Sequence, residues 1–183
     1  HFLSRTGGSY SWNWVVGHIG LNDGTNPWHY YLTLNNTDAE VDNINRWNDT
    51  APTSSVFTVG TVGNVNENNS QYLALLFASV DGISKVGKYT GTGSAQTIQT
   101  GFVPRFLIVK RADGTGDWNV LDTAVSWDAG GDVSVRLNTN TNEYSGNFGE
   151  PNSSNGFDLP ASTIENYRNT NDNNAKYIYY AHA

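Results

Sequence analysis

The sequence predicts an all-β protein of the sandwich or barrel kind, arranged as two tandem units. Three observations carry this reading. Short runs of β-branched and aromatic residues alternate with clusters of Gly, Asn and Asp. Helix formers are sparse: only 15% of residues are charged, so Asn, Thr, Ser and Gly supply the polar surface. The order of aromatic landmarks in the first half also returns about a hundred residues later.

Strands are expected at Trp12–Val16, His29–Leu34, Ser55–Gly60, Gln71–Ser79 and Ile83–Thr90. Further strands are expected at Gln96–Thr100, Arg105–Arg111, Asp117–Asp122, Asp132–Leu137, Gly156–Leu159 and Lys176–His182. The connections are rich in Gly, Asn and Asp, which tolerate left-handed backbone or cap their own turns. No segment keeps an apolar stripe of helical period for three turns, although Ser162–Asn169 has room for a helical turn.

The repeat aligns His1-Phe2-Leu3 with Arg105-Phe106-Leu107, and Asn13-Trp14 with Asp117-Trp118. Leu34-Asn35 then meets Leu137-Asn138, Phe57 meets Phe157, and Tyr72-Leu73 meets Tyr177-Ile178. The small drift in offset falls in polar connections, where insertions are tolerated. Residues 1–84 form the first unit and 85–183 the second. The second opens with Lys85–Pro104, a lead segment that the first lacks. The first unit is therefore expected to miss its N-terminal strands and to carry a bare sheet edge. The start at His1 and the absence of Met read as an excerpt or processed product of a longer chain.

Net charge is −7, with no Lys/Arg cluster, which disfavours nucleic acid as a partner. There is no Cys, so disulfides and Cys-based metal sites are excluded. The longest apolar run, Tyr72–Ala78, is far too short for a membrane-spanning helix, so no membrane insertion is expected.

These motifs also resemble a repeat module of tailed-bacteriophage virion proteins, the cyanophage-type tail-fibre-like and appendage proteins. The resemblance rests on KYTGTGSAQTIQTGFVPRFLIVKR, DWNVLDTA, RLNTNT, SNGFDL and KYIYYAHA in the second unit. In the first it rests on RWNDTAPTSSVFTVG and on NSQYLALLFAS leading into VDGISKVGKYTG. It implies lectin-like jelly-roll β-sandwich modules in a fibre or surface appendage, on the virion surface or otherwise extracellular. A homo-oligomer, most simply a trimer by analogy with phage fibres, would contact other virion proteins and display host-attachment loops. Two further readings are a carbohydrate-binding module for host surface glycan and a capsid decoration protein or extracellular filament subunit.

No enzyme is expected. His1, His18, His29 and His182 make no metal-binding spacing. Asp117 and Asp122 lie five apart on one strand and face opposite sides, so they do not make a hydrolytic pair. The loop Asp113–Asp117 (DGTGD) has oxygen ligands that calcium favours but lacks the EF-hand pattern, so it reads as a turn, as does Asn22–Asn26. No cofactor is assigned. The Gly-rich stretch Gly91–Ala95 reads as a hairpin turn, because it lacks the Lys-Ser/Thr of a phosphate loop. Repeated aromatics read as core. The unrepeated Trp28, Trp47, Trp127 and Tyr144 sit among polar residues and are the candidate ligand-binding rings, suited either to a sugar face or to a neighbouring subunit.

Overall fold

The computed structural model describes residues 1–6, 13–128, 131–162 and 170–183. It is an all-β, sandwich-type fold. The first half contains β1 (Phe2–Thr6), β2 (Val15–Val16), β3 (Tyr30–Thr33), β4 (Val41–Asp42), a one-turn helix α1 (Gly63–Asn66) and β5 (Gln71–Leu75). The second contains β6 (Ser84–Thr90), β7 (Gln96–Gln99), β8 (Phe106–Arg111), β9 (Trp118–Asp122) and β10 (Asp132–Arg136). It ends with β11 (Tyr144–Gly146), β12 (Glu150–Asn152), β13 (Gly156–Leu159) and β14 (Lys176–His182).

Among the described residues three antiparallel sheets form. The first has the order β4-β3-β2-β1-β5, the second β11-β10-β9-β8-β14-β6, and the third β12-β13-β7. The aligned landmarks match β1 to β8, β2 to β9, β3 to β10 and β5 to β14, and β4 and β11 take the same place beyond β3 and β10, so the first order reappears inside the second. The second sheet adds β6 beyond β14, and no strand of the described residues takes that place beside β5.

Matching residues also make matching contacts. Leu34 N–H donates to Trp14 O at 3.0 Å, and Leu137 N–H to Trp118 O at 3.1 Å. The amide Oδ1 of Asn35 accepts from Trp14 N–H at 3.1 Å, and that of Asn138 from Trp118 N–H at 2.8 Å. The Tyr72 hydroxyl accepts Glu67 N–H at 2.7 Å, and the Tyr177 hydroxyl accepts Asp172 N–H at 3.0 Å. The repeated Leu-Asn pair thus ties two strand ends together. The repeated polar turn places a backbone donor over the next strand's tyrosine.

The second and third sheets enclose a core that includes Leu107, Leu121, Trp127, Phe157 and Tyr177. The opposite face of the second sheet meets the first sheet. There Phe2, Val16, Leu21 and Leu32 pack with Ile108, Trp118 and Ile178, joined by half-buried Trp14, Phe106 and Val120. Phe2 and Phe106, Trp14 and Trp118, and Val16 and Val120 are counterparts, so equivalent faces of the two sheets are pressed together. The period-2 alternation of a strand explains this. Phe2 points into the shared layer, while its neighbour Leu3 points into a smaller core with Val15, Trp47 and Val65.

Several expectations need correction. Ser55–Gly60 forms no strand. Its counterpart β13 is held by β7 on one side and β12 on the other, and no described residue of the first half takes the place of β7. Gly91–Ala95 is not a hairpin turn: it carries the chain from β6 in the second sheet to β7 in the third. A Cβ on Gly91 would lie 2.1 Å from Asp172 O, so a close backbone approach explains that glycine. The proposed helical turn at Ser162–Asn169 falls almost wholly outside the described residues, as does Trp12 of the expected strand Trp12–Val16. The short strands β4, β11 and β12 give no sequence signal of their own.

One prediction arises here. Asn138→Ala removes the acceptor for Trp118 N–H and the 2.8 Å donor to Asp117 Oδ1. Urea unfolding should show a loss of about 1–2 kcal/mol for Asn138→Ala, and less for Asn35→Ala at the exposed counterpart. Equal, negligible losses would mean the repeated Asn is incidental.

Candidate functional site

The four candidate rings do not assemble into one site. Trp47 and Trp127 are 0% and 1% exposed, so neither offers a face to a sugar. Trp47 plugs the small core of the first half, and Trp127 packs beside Phe157 at 6.4 Å in the core of the second. Their polar neighbours misled: a bulky indole in a polar loop is more stable turned inward beneath that loop. Trp28 is half-buried and stacks on the His1 ring at 5.2 Å and 21°. Tyr144 is half-buried at the start of β11, edge-on to Phe148 at 6.1 Å, with the Arg136 guanidinium 6.0 Å above its ring.

One concavity is an open polar groove of about 690 Å³ in the second half. Gln96, Thr97, Asp132, Asn147, Glu150 and Asp158 contribute to its wall, and no aromatic ring does so among the described residues. Glu150 and Asp158 stand directly opposite each other across β12 and β13. Like charges in facing positions weaken a sheet, so this pair is unusual. Asp158 is held in place by the Thr97 hydroxyl and by Asn152 Nδ2 at 2.7 Å. Asp132 is buried, and burial raises its carboxyl above the ordinary carboxylate range although Phe148 N–H donates to it. Sequence reasoning missed the facing pair, because only strand register brings the two residues together.

A second, apolar cleft of about 240 Å³ lies where the first and second sheets meet. Phe2, Trp28, Phe77, Trp118, Ile178 and Tyr180 line it. It is a remainder of the packing between two sheets and is bordered by Phe77 and Ala78, just after β5.

In the two Asp-containing loops the carboxylates pair with the protein's own cations. In Asp113–Asp117, Arg111 Nε pairs with Asp113 at 2.9 Å, and the buried Lys110 ammonium reaches Gly114 O at 3.4 Å. In Asn22–Asn26, Asp23 bridges Lys88 at 2.5 Å and Lys176 at 3.2 Å, and the hydrogen bond from Lys88 is the main reason its carboxyl titrates low. Both loops thereby tie the two halves together, since Lys110 also reaches Thr37 O at 3.4 Å. Among the described residues no three His, Asp or Glu side chains are grouped to hold a metal ion.

The histidines serve different ends. His18 Nδ1 accepts Gly20 N–H at 2.9 Å, so its proton sits on Nε2 and is donated to Tyr179 O at 3.2 Å. His29 pairs with Asp49 at 2.7 Å. His182 is exposed at the end of β14.

Residues 4–183 match a family described as a domain of unknown function, DUF7483. The chain belongs to that family. No curated protein and no solved structure matches it. The DUF7483 match spans both halves and the layer between them. No helix among the described residues is long and apolar enough to cross a membrane.

Proposed function

We propose that the chain is a non-enzymatic structural module of a tailed-phage virion, placed in a tail fibre or other surface appendage. The observation that carries this reading is the recurrence of one strand order and one set of side-chain locks in both halves, stacked through equivalent faces. Stacking of like units suits an extended appendage whose task is geometric. The motif resemblance to phage appendage repeats points the same way. The module assembles as a homo-oligomer, most simply a trimer, and weak contacts at many displayed loops add up to firm attachment. The test is mass spectrometry of gradient-purified phage particles. The chain should be recovered in many copies per particle, and its confinement to the infected-cell lysate would overturn the reading.

A second reading rests on the polar groove. Its side chains from Gln96, Asn147, Glu150 and Asp158 offer donors and acceptors suited to sugar hydroxyls, and the appendage would use them to hold host glycan. On a glycan array, Glu150→Gln with Asp158→Asn should lower the retained signal by about tenfold, the loss of one or two charge-assisted hydrogen bonds. A blank array for the unaltered chain would remove this reading and leave the structural one standing.

A further inference from the structure

Exposed sheet edges invite pairing with another chain, and folded proteins blunt them with short strands, lysine or proline. Among the described residues, five of the six sheet edges are blunted or polar. β4 and β11 are two and three residues long. β12 carries Pro151, β7 reads Gln-Thr-Ile-Gln, and β6 carries Lys85 and Lys88. β5 differs. It reads Gln-Tyr-Leu-Ala-Leu and runs on through Leu76 and Phe77 without a charge or a proline. No backbone hydrogen bond among the described residues reaches its outer edge. Leu73, Leu75 and Leu76 are 46%, 42% and 59% exposed.

The second half displays what such an edge holds. β14 occupies the place that β5 occupies in the first sheet, and β6 lies along it from Ser84 to Thr90. Tyr89 stands opposite Tyr177 and stacks on it at 5.0 Å and 11°. Lys88 and Val86 stand opposite Ile178 and Tyr180, which correspond to Leu73 and Leu75.

We propose that the outer edge of β5 accepts one added antiparallel strand of the β6 kind, supplied in trans by a partner polypeptide. The chain's own β6 is paired along its whole length with β14, so the occupant is a further segment of the same chemistry. It places an aromatic ring against Tyr72, as Tyr89 lies against Tyr177. It sets aliphatic side chains or stems over Leu73 and Leu75, removing their apolar surface from water. Opposite Ala74 it is not confined to glycine. Gly87 is glycine because a Cβ there would sit 2.4 Å from the Tyr179 ring, and Ala74 has no such ring. The edge would bind a strand whether or not the chain serves in a virion.

The probe is a synthetic peptide of residues 84–93, Ser-Lys-Val-Gly-Lys-Tyr-Thr-Gly-Thr-Gly, added to the intact chain at up to about 1 mM, a range that captures weak strand addition. Hydrogen exchange of the segment 71–77 should slow by about tenfold with peptide, while β4 is unchanged. A peptide N-methylated along one edge should lose the effect, and one methylated along the other should keep it, because only one edge of an added strand faces β5. The double variant Leu73→Lys, Leu75→Lys alters exposed positions only and should abolish the protection with little change in thermal midpoint. No slowing at the highest concentration would overturn the proposal, as would equal slowing with a scrambled peptide. Protection of 71–77 by concentration-dependent self-association without peptide would also overturn it, by showing a second copy on that edge.

Discussion

Trp118→Ala should lower the unfolding free energy by about 3–5 kcal/mol, the largest effect of any single truncation in the layer between the sheets. Trp118 is 2% exposed and meets Phe2 edge-on at 6.0 Å and 81°. Its indole N–H donates across the layer to Thr33 O at 3.0 Å. Truncation opens a cavity, removes the donor and leaves the carbonyl short of a partner. Domains are stable by only about 5–15 kcal/mol, so the loss is a large share of the whole. The damage should also be uneven. The second and third sheets keep their own core around Leu107, Trp127 and Phe157. The first sheet keeps only the small cluster around Leu3, Val15 and Trp47. Hydrogen exchange of Trp118→Ala should therefore show β1, β2, β3 and β5 opening well before β8 and β14. Uniform opening of all strands would mean the halves do not depend unequally on their shared layer.

Acid should weaken the same joint through His18. Burial pushes its imidazole down to about 3 from an ordinary value of 6.5. Protonation would also set a second N–H against Gly20 N–H, which Nδ1 now accepts. A folded-state value below the unfolded one gives stability that is complete above pH 6.5 and is lost as pH falls towards 3. Through that window the loss approaches about 1.4 kcal/mol per pH unit for this one group. Glu40 and Asp132, both raised by burial, act in the opposite sense, so the informative quantity is a difference. His18→Gln should be less stable than the unaltered chain at pH 7 and should lose less on going to pH 4.5. Parallel stability–pH curves for the two proteins would rule out His18 as the titrating group.

The all-β character was legible because composition and the spacing of β-branched and aromatic runs report on backbone preference. Non-local facts were hidden. Trp47 and Trp127 were misread because a polar window describes the neighbours of a side chain, while burial depends on what folds over it. Ser55–Gly60 has the residues of a strand but no partner to make it one. Glu150 and Asp158 face each other only through the register of β12 and β13. The contact of equivalent sheet faces has no signature in the repeat, because strand periodicity says which residues share a face and not what that face meets.

The most direct test of the proposed role is electron cryo-microscopy of an intact phage particle that carries this chain. The expected result is repeated density on an outer appendage that accepts the stacked-sheet fold in many symmetry-related copies. A particle whose surface and tail are fully accounted for without this fold would contradict the assignment.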